Sequence, residues 1–487
     1  MIELSEIVYE VEVLDWRGPK EQMINHLSFD SRKLRAGDLF VAVKGTQVDG
    51  HKFIAGACEK DIRAVVCEKF PVKLDTDISY ILVQDSAKAL GQMASAFFGH
   101  PSRKLKLVGV TGTNGKTTIA TLLHSLFNDE KRKSGLLSTI RNYIGDKEVK
   151  ATHTTPDAVS INKLLAGMVD ENVEYCFMEV SSHAVVQERI SGLHFTGGIF
   201  TNITHDHLDF HGSFDNYIKA KKKFFDELPP SAFALINIDD KNSKIVVQNT
   251  AAPVYTYGLR NIADFKAKII ESTIDGTLMK IDNAELWTLF TGRFNAYNLC
   301  AVYASAALLG EEKEELLRVI SQLKPVEGRF ETIRSGSGIT AIVDYAHTPD
   351  ALENVIKTLV EVQRPGQQLI TVVGTGGNRD KSKRPVMAKI AVSYSQKVVL
   401  TSDNPRNEEP AAILKDMMEG VPVEKKKDVL TISERKEGIR TACMLAQKGD
   451  IILIAGKGHE TYQEVKGVRH HFDDREVVKE VFAELNS

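Results

Sequence analysis

Short apolar runs, each followed by a polar loop and usually by apolar residues at helical spacing, recur along most of this chain. A run of about four to eight apolar residues between turns is typical of a buried strand, and strands that alternate with helices are typical of a parallel sheet covered on both faces. The pattern therefore predicts an α/β fold. The predicted strands span residues 39–43, 64–68, 80–84, 105–110, 176–180, 198–201, 234–238, 341–344, 369–373, 397–401 and 451–455.

Two interruptions divide this pattern into three parts. Residues 99–102 read Gly-His-Pro-Ser, which is typical of a linker, and the strand–helix alternation restarts after Lys324 and Pro325. A chain of 487 residues suffices for about three domains. We predict a smaller N-terminal α/β domain over 1–100, a central domain with a P-loop-type parallel sheet over 101–327, and a C-terminal Rossmann-like domain over 328–487.

Composition argues against several classes of protein. The 62 Lys and Arg residues nearly balance the 65 Asp and Glu residues, so charge favours neither nucleic acid nor a membrane surface as a partner. The five cysteines are scattered, which favours buried free thiols over disulfides. No apolar run of about 18 residues and no signal-peptide pattern occurs. We therefore expect a soluble cytoplasmic protein, with no nucleic-acid partner and no membrane insertion.

The most informative segment is 111–118, Thr-Gly-Thr-Asn-Gly-Lys-Thr-Thr. It lies between the predicted strand 105–110 and a predicted helix, so its backbone N–H groups and the helix N-terminus would face phosphate oxygens. Lys116 would reach the β- and γ-phosphates, and the hydroxyl of Thr117 would ligate Mg²⁺. The strict phosphate-loop pattern has Gly where this chain has Val110, so the motif is a variant. The residues predicted to bind ATP here are Gly112, Thr113, Asn114, Gly115, Lys116, Thr117 and Thr118.

Two later segments carry candidate metal ligands. Glu179 ends the predicted strand 176–180, where a carboxylate in a phosphate-loop domain is placed to hold Mg²⁺. Residues 202–211 contain three His and two Asp within seven positions, and their His-x-His spacing suits zinc. Beside a nucleotide loop, Mg²⁺ ligation by one His is the preferred interpretation, with a zinc site as the alternative.

Residues 217–225, Tyr-Ile-Lys-Ala-Lys-Lys-Lys-Phe-Phe, are predicted to form a basic helix. A solvated face is the ordinary interpretation of such lysines. The interleaved apolar residues indicate that one lysine could point inward. Near a metal site such a lysine could have a lowered pKa and react with CO₂ to give a carbamate, a metal-binding carboxylate.

Three loops after 369 carry candidate anion and amino-acid contacts. Residues 374–380 imitate a dinucleotide fingerprint but lack its third spaced Gly, so we predict no NAD site there. Residues 380–385 form a basic loop suited to an anion. Asp403 and Arg406, on either side of a turn fixed by Pro405, could hold the ammonium and carboxylate of an amino acid, or could pair with each other.

Taken together, these segments resemble the Mur ligase family, ATP-dependent amide-forming enzymes of peptidoglycan assembly. The resemblance spans nearly the whole chain, and the order and spacing of its motifs are specific. The matching motifs are Thr111-Gly-Thr-Asn-Gly-Lys-Thr-Thr118, Glu179-Val-Ser-Ser-His183, Asp206-His-Leu-Asp209, Gly292-Arg-Phe-Asn-Ala-Tyr-Asn298, Gly328-Arg-Phe-Glu331 and Asp344-Tyr-Ala-His347.

Further segments resemble one branch of the family. Residues 29–32, 37–42 and 49–50 are similar to the UDP-sugar-binding domain of the ligases that add the third amino acid. Asp403-Asn-Pro-Arg406 is similar to the signature of members that add meso-diaminopimelate, because lysine-adding relatives lack that Arg. Gly456-Lys-Gly-His-Glu460 is similar to the other side of the same pocket.

The resemblance implies roles for individual residues. Lys116, Glu179, His207 and Lys221 would serve catalysis, the last as a carbamylated lysine, and Thr117, Glu179, His207 and Lys221 would hold Mg²⁺. Further ATP contacts would come from Asn298, Arg329 and Asp344. The UDP substrate would be contacted by Ser31, Thr154, Thr155, Ser181, Gln187 and Arg189. The amino acid would be bound by Arg384, Asp403, Asn404, Pro405, Arg406, Gly456 and Glu460.

The resemblance also implies the substrates, namely ATP with Mg²⁺, a UDP-N-acetylmuramoyl-dipeptide and meso-diaminopimelate, and a monomer is expected. Three alternatives stay open. The lysine-adding enzyme of the same family is disfavoured by Arg406, and a folylpolyglutamate synthetase is disfavoured by residues 29–32. A nucleotide-dependent switch would use the phosphate loop for binding only.

Overall fold

The computed structural model describes residues 1–45, 48–129, 132–151, 153–204 and 206–485. Its strands form three large sheets, which lie within residues 13–83, 106–288 and 331–455. The predicted domain boundaries near 100 and 327 fall between these sheets, and the domain division itself stays a prediction.

The N-terminal sheet has the strand order β2-β7-β6-β5-β4. Strands β4 to β7 run parallel, and β2 is antiparallel to β7. Three 3₁₀ turns, Ser31–Lys33, Gly50–Phe53 and Pro101–Arg103, occur in its loops and after it. The elements are β1 (Ile2–Glu3), α1 (Leu4–Ile7), β2 (Val13–Arg17), β3 (Met23–Ile24), β4 (Leu27–Ser28), β5 (Leu39–Val41), α2 (Ile54–Cys58), β6 (Ala64–Cys67), β7 (Ser79–Val83) and α3 (Ser86–Phe97).

The central part of the chain builds the largest sheet. Its elements begin with β8 (Lys106–Thr111), α4 (Lys116–Phe127), β9 (Ser134–Leu137), β10 (Arg141–Ile144), β11 (Lys147–Lys150), α5 (Ala158–Asp170), β12 (Tyr175–Glu179), α6 (Ser182–Val186), β13 (Gly197–Phe200) and α7 (Leu208–His211). They continue with α8 (Phe214–Asp226), β14 (Phe233–Asn237), α9 (Ser243–Val246), β15 (Val254–Gly258), β16 (Phe265–Thr273), β17 (Gly276–Ile281), β18 (Ala284–Thr288), α10 (Arg293–Leu308) and α11 (Lys313–Gln322).

The strand order of this sheet is β11-β10-β9-β12-β8-β13-β14-β15-β16-β17-β18. Seven neighbouring strands run parallel across its middle, in the order β9-β12-β8-β13-β14-β15-β16, and antiparallel hairpins extend both ends. Helices α4 and α10 pack one apolar layer on one face, and α5 and α8 pack a second layer. Strand β8 thus lies at the centre, buried on both sides, and delivers the loop that follows it to the carboxyl edge.

The C-terminal sheet has the order β19-β20-β24-β21-β22-β23, parallel except for β19. One apolar layer lies between the sheet and α12, α13 and α14, and a second lies between the sheet and α15 and α16. The elements, apart from a 3₁₀ turn at Val423–Asp428, are β19 (Glu331–Arg334), β20 (Thr340–Asp344), α12 (Pro349–Val362), β21 (Leu369–Val373), α13 (Lys383–Tyr394), β22 (Lys397–Thr401), α14 (Pro410–Met418), β23 (Val429–Ile432), α15 (Arg435–Leu445), β24 (Ile451–Ala455), β25 (Tyr462–Val465), β26 (Val468–His471) and α16 (Asp474–Leu485).

The predicted α/β class is confirmed, and each predicted strand overlaps an observed one. No helix among the described residues is long and apolar enough to cross a bilayer. Four of the five cysteines are buried, Cys58 is half-buried, and all are free thiols, as composition predicted.

Candidate active site

The loop between β8 and α4 has the backbone that a phosphate loop needs. Gly112 has φ +150° and Gly115 has φ +90°. A Cβ on Gly112 would stand 1.8 Å from the hydroxyl of Thr201, and one on Gly115 would stand 2.6 Å from Oδ1 of Asn298. Both glycines are therefore required by close neighbours as well as by conformation.

Two lysines meet at this loop. Lys116 donates from Nζ to the carbonyl oxygens of Gly112 and Thr113, both at 2.8 Å, and Lys221 donates from Nζ to Gly112 at 2.9 Å. The pattern of residues 217–225 predicted that one lysine could point inward without identifying it; in the structure Lys221, which the family resemblance singled out, is buried, with 1% of its surface exposed. Burial, reinforced by the charge of Lys116, holds the pKa of Lys221 well below its ordinary value.

Glu179 ends β12 at the same edge and is almost fully buried. Its Oε1 accepts a hydrogen bond from the backbone N–H of Thr139 at 2.7 Å, and its backbone carbonyl accepts one from the hydroxyl of Thr155 at 2.7 Å. The first bond holds the carboxylate and the second holds the backbone; Glu179 lines the cavity, whose wall also contains Lys116.

Asp206 and His207 approach from the segment before α7. The backbone N–H of His207 donates to Oδ1 of Asp206 at 2.9 Å, and its ring Nε2 lies 3.4 Å from Oδ2. Removal from bulk water lowers the pKa of His207 to about 4, and the charges of Lys116 and Lys221 act in the same direction. At neutral pH the ring is therefore uncharged, which is the form that ligates a metal.

The predicted metal ligands suit Mg²⁺ in part. Thr117, Glu179, His207 and Lys221 all line one cavity, and the hydroxyl and carboxylate supply the oxygen donors that Mg²⁺ prefers. In the described part of the chain, no three or more His, Cys, Asp and Glu side chains converge as a metal site. This gives the zinc alternative no support, and His205, which that alternative included, lies outside the described residues.

Most of the residues predicted to contact the UDP substrate line the same cavity as Glu179. Arg189 donates to the backbone carbonyl of Thr155 at 2.7 Å and to Oε1 of Gln187 at 2.6 and 3.0 Å. The hydroxyl of Ser181 caps α6. Thr154, Thr155, Ser181 and Arg189 line the cavity, whereas Gln187 and Ser31 are not part of its wall; Ser31 lies in the N-terminal turn Ser31–Lys33.

The opposite wall comes from residues after 328. Arg329 donates from Nη2 to the hydroxyl of Thr117 at 3.1 Å, and its guanidinium lies 4.5 Å from the ring centroid of Tyr345. Asp344 is buried and accepts from the backbone N–H groups of Phe330 at 2.7 Å and Ala346 at 2.8 Å. Burial raises the pKa of Asp344, and the charge of Arg329 opposes that shift. Asp344 thus fixes the segment that carries Arg329.

Asp350 is a contact that sequence reasoning missed. Its Oδ2 accepts from the side-chain amide of Asn114 at 2.8 Å and from the hydroxyl of Thr204 at 3.3 Å. The only sequence indication was the helix start at Thr348 and Pro349, which places an acidic residue in the first turn of α12.

Most of these groups line one cavity of about 820 Å³. This is at the upper end of the range typical of small-molecule sites. Its wall contains the whole predicted phosphate loop, Asn298, Arg329 and Asp344, together with Glu179, His207, Lys221 and the four substrate-contacting residues. The space suffices for a nucleotide and part of a second substrate.

The predicted amino-acid residues form a second cluster, at the carboxyl ends of β22 and β24. Asp403 lies beside Lys457 rather than Arg406, so the alternative of an internal Asp403–Arg406 ion pair is wrong. Nζ of Lys457 lies 3.5 Å from Oδ1 of Asp403, 3.1 Å from Oε2 of Glu460 and 3.2 Å from Oδ1 of Asn404. Lys457 is fully buried, and sequence reasoning had assigned it no role.

The two predicted arginines of this cluster differ in their partners. Arg406 donates from Nη1 to the carbonyl of Gly377 at 2.8 Å. Arg384 is buried, and its terminal nitrogens bond to Glu408 at 2.9 and 3.0 Å and to Asp416 at 2.8 Å. A ligand contact by those nitrogens would require their release from carboxylates, and the role of Arg384 in amino-acid binding stays a prediction.

Three protein-family models match consecutive parts of the chain. Models of the Mur ligase middle domain, the Mur ligase glutamate ligase domain and the Mur ligase family catalytic domain match residues 110–306, 328–458 and 23–98. The chain is 55% identical over 482 residues to UDP-N-acetylmuramoyl-L-alanyl-D-glutamate–2,6-diaminopimelate ligase of Phocaeicola vulgatus, covering 99% of this chain and 100% of the relative.

Two further likenesses agree with this one. A protein of the same name from Cytophaga hutchinsonii is 56% identical over 485 residues, covering 99% of this chain and 100% of the relative. A solved structure of a UDP-N-acetylmuramoyl-L-alanyl-D-glutamate–2,6-diaminopimelate ligase superposes with a TM-score of 0.71 at 30% identity, covering 100% of this chain and 99% of that one.

Proposed function

The chain belongs to the Mur ligase family, and on this basis we propose that it adds meso-2,6-diaminopimelate to UDP-N-acetylmuramoyl-L-alanyl-D-glutamate. The predicted ligase class and the predicted use of ATP with Mg²⁺ are confirmed by the family. The observation that carries the proposal is one cavity that holds a phosphate loop, buried Lys221 and the Thr155–Arg189 contact together.

The reaction proceeds in two transfers. The free side-chain carboxylate of the substrate's D-glutamate attacks the γ-phosphorus of ATP. The bond from this phosphorus to the bridging oxygen breaks, and the products are ADP and an acyl phosphate. The neutral amine of diaminopimelate then attacks the acyl carbon. The tetrahedral intermediate expels phosphate and loses the amine proton, which leaves an amide.

Residues of the chain support these transfers by charge and position. Lys116 offsets negative charge on the phosphate oxygens once it exchanges its two carbonyl partners for them. Thr117, Glu179, His207 and Lys221, the last in its carbamylated form, would hold Mg²⁺, which when bound neutralises charge on the nucleotide phosphates. Thr155 and Arg189 are fixed by each other and by Glu179, which suits them to orient the second substrate beside the phosphate loop.

The choice of amino acid would rest on the second cluster. Asp403 and Glu460 are acceptors for an ammonium group, and Arg406 is a donor for a carboxylate. Diaminopimelate carries a carboxylate at each end, whereas lysine carries one. We infer that Arg406 reads the second carboxylate and thereby disfavours the lysine-adding alternative. We also propose that the enzyme acts in the cytoplasm, as a monomer.

The experiment measures phosphate release from ATP in the presence of UDP-N-acetylmuramoyl-L-alanyl-D-glutamate. Parallel reactions contain either meso-diaminopimelate or L-lysine. We expect release with diaminopimelate and a product heavier by one residue. Release with lysine instead would overturn the assignment of Arg406 but keep the reaction. Release with neither amino acid would contradict the proposed function and favour the switch.

A variant pair ties the activity to the phosphate loop. Lys116→Ala removes the amine that faces the phosphates, and we expect it to lose ligation. Lys219→Ala removes an exposed lysine from α8 and serves as the matched control. Normal turnover by a folded Lys116→Ala protein would contradict the phosphate-loop assignment.

A further inference from the structure

Lys457 is a buried cation to which the proposed reaction gives no role. It lies just beyond the end of β24, and its side chain is 0% exposed. Its Nζ lies 3.1 Å from Oε2 of Glu460 and 3.5 Å from Oδ1 of Asp403. It also donates to Oδ1 of Asn404 at 3.2 Å. An ammonium group is removed from water in this way only where opposite charges balance it, so the lysine and the two carboxylates act together.

The two carboxylates each give Lys457 only one of their oxygens. Within the described residues, Oδ2 of Asp403 and Oε1 of Glu460 accept no hydrogen bond. Oδ2 of Asp403 faces Gly456, where an added Cβ would stand 3.5 Å from it. The side chains of Asp403 and Glu460 are 10% and 17% exposed, whereas Lys457 lies behind them. One oxygen of each carboxylate is therefore available to a second cation.

The loop after β22 has contacts that do not involve Lys457. The backbone N–H of Glu464, in β25, donates to Oδ1 of Asn404 at 2.9 Å. Nε2 of Gln463 donates to the backbone carbonyl of Asp403 at 2.6 Å. The hydrogen bonds of the Lys457 ammonium, in contrast, all go to side chains. The backbone is thus fixed by β25, and the contribution of Lys457 is directed at the side chains and their charge.

Charge accounting indicates what Lys457 contributes. Asp403 and Glu460 are neighbouring carboxylates, and the ammonium group offsets the charge of one of them. Burial and the charge of Asp403 raise the pKa of Glu460, and the charge of Lys457 opposes that rise. Without the lysine, Glu460 would take up a proton more readily. A protonated carboxyl group offers an ammonium ligand no opposite charge.

Other groups that face the two carboxylates do not supply this charge. Arg435 approaches from α15 but is paired with Asp474. Burial lowers the pKa of His459 to about 3 and raises the pKa of Tyr345 and Tyr462, so these three rings are uncharged at neutral pH. Further charged or titratable groups face these rings, namely Arg329, His347, Arg406, Glu464, Arg469 and Arg475. The buried lysine is therefore the cation that balances the pair.

We propose that Lys457 is a positioning residue for the incoming amino acid, because it keeps Asp403 and Glu460 charged and leaves one oxygen of each for an ammonium group. The inference rests on the proposed function for the identity of that amino acid. Lys457 does not touch the ligand and forms no covalent bond. It acts through the two carboxylates, whose distance from each other and whose charge it holds.

The first test measures the KM for diaminopimelate between pH 6 and pH 9 in Lys457→Met, Lys457→Gln and the unmodified chain. Dividing each variant's KM by that of the unmodified chain removes the titration of the substrate's own amines. We expect a ratio of about ten or more at pH 7 that shrinks towards pH 9, where Glu460 is ionised again. The KM for ATP should change less than about threefold.

Two further variants make the comparison specific. Lys457→Gln keeps a hydrogen-bond donor without the charge, so it should behave like Lys457→Met, and it decides the question if Lys457→Met does not fold. Lys466→Met removes an exposed lysine beside β25 and should match the unmodified chain at every pH. Normal affinity for ADP, measured by calorimetry, shows that a variant is folded.

Proton release gives a readout that does not depend on turnover. Calorimetry in buffers of different ionisation enthalpy counts the protons released when diaminopimelate binds in the presence of ADP and UDP-N-acetylmuramoyl-L-alanyl-D-glutamate. At pH 7 we expect Lys457→Met to release up to about one more proton than the unmodified chain, because Glu460 must ionise on binding.

A merely structural role gives different results in both measurements. A KM ratio that is the same at every pH, equal proton release by the variant and the unmodified chain, or a Lys457→Gln protein with the unmodified KM would overturn the inference. An unmodified chain that releases no phosphate from ATP with diaminopimelate would instead contradict the proposed function.

Discussion

Lys116 and Lys221 donate to the same oxygen, the backbone carbonyl of Gly112, at 2.8 and 2.9 Å. Two ammonium groups so close together and so far from water would repel each other strongly. The buried Lys221 is the one whose pKa falls furthest, because burial and the charge of Lys116 act in the same direction. The arrangement therefore favours the neutral form of the Lys221 amine beside the phosphate loop.

A neutral buried amine reacts with CO₂, and we expect Lys221 to carry a carbamate. The amine nitrogen bonds to the carbon of CO₂ and loses a proton, which converts a repelled amine into a carboxylate attracted by Lys116. Under ¹³CO₂, the chain should show a carbamate carbon resonance that Lys221→Met lacks. Lys219→Met, an exposed lysine on the same helix, should retain the resonance. A spectrum unchanged by Lys221→Met would refute the assignment.

The same lysine should make stability depend on pH. In CO₂-free buffer the unfolded chain protonates Lys221 below about pH 10.4, whereas the folded chain resists protonation because its pKa is lowered. The unfolded state then binds more protons, so the free energy of unfolding rises with pH in this window. Lys221→Met should therefore be more stable than the unmodified chain at pH 7, and the difference should shrink towards pH 10. A difference in free energy of unfolding that does not change with pH would show that Lys221 is charged when folded.

Gly115→Ala should abolish tight nucleotide binding while leaving the chain folded. The new Cβ would stand 2.6 Å from Oδ1 of Asn298, and φ is +90°. Gly366→Ala is the matched control, because Gly366 has φ +87° but no atom within 4 Å of the added Cβ. Both variants incur a backbone cost of about 1 kcal/mol. Only the first should lose ADP affinity by calorimetry, and equal ADP affinities for the two variants would contradict the role of the close contact.

Arg406→Ala should impair the use of diaminopimelate and leave ATP binding intact. A charge-assisted hydrogen bond to a carboxylate is worth about 1.5–3 kcal/mol, so the KM for diaminopimelate should rise about tenfold or more. Arg406→Lys, which retains the charge without the fork, should give a smaller change. The decisive measurement is the ratio of diaminopimelate to lysine incorporation, and a ratio equal to that of the unmodified chain would refute the selectivity role.

Arg435 and Asp474 form a fully buried ion pair beneath the second cluster, the one that contains Asp403 and Gly456 at the ends of β22 and β24. Nε and Nη2 of Arg435 each lie 2.7 Å from a carboxylate oxygen of Asp474, and the guanidinium also donates to the carbonyls of Ser402 and Ala455. Those carbonyls immediately precede Asp403 and Gly456. The pair therefore fixes the spacing of the two loops that form the cluster.

Asp474→Ala should destabilise the C-terminal part of the chain by about 3–5 kcal/mol, because it leaves a buried guanidinium without its counter-charge. Hydrogen exchange over residues 328–485 in increasing urea measures this loss. Lys436→Ala breaks an exposed pair with Glu480 that joins the same two helices, α15 and α16, and should change little. Similar effects of the two substitutions would contradict the importance of burial.

The sequence was sufficient for the strands that lie in the middle of each sheet. The strands β8 and β12 are apolar runs between turns, and their predicted ends differ from the observed ones by one residue. Strands towards both ends of the largest sheet escaped prediction, including β9, β10, β15, β16 and β17, each of which pairs on both sides. The edge strand β11 reads Lys-Glu-Val-Lys and pairs along one side only. A hairpin of that kind is defined by its partner strand rather than by an apolar run of its own.

Some residues of the candidate site could likewise be predicted from the sequence and others could not. The phosphate loop could be found because its residues are neighbours in sequence, whereas Lys221 was identified among the lysines of its helix only by the resemblance of its segment to the family's motif. Lys457 could not, since its partner Asp403 lies 54 residues away and only the fold brings the two together. The carboxylates that engage Arg384 come from outside its own segment, and Asp416 lies on α14. Local sequence motifs do not predict ion pairs between residues that are far apart in the chain.

The hydrogen bond from Arg329 to Thr117 affects how tightly a metal–nucleotide complex can bind. The hydroxyl oxygen that would ligate Mg²⁺ is already occupied by a side chain of the C-terminal part, and Asp350 holds Asn114 of the same loop. An arriving metal–nucleotide complex therefore competes with the protein's own wall for that oxygen. The binding free energy of the complex therefore includes the cost of breaking these contacts. Substitutions in the wall that never touch the nucleotide should for this reason alter its affinity.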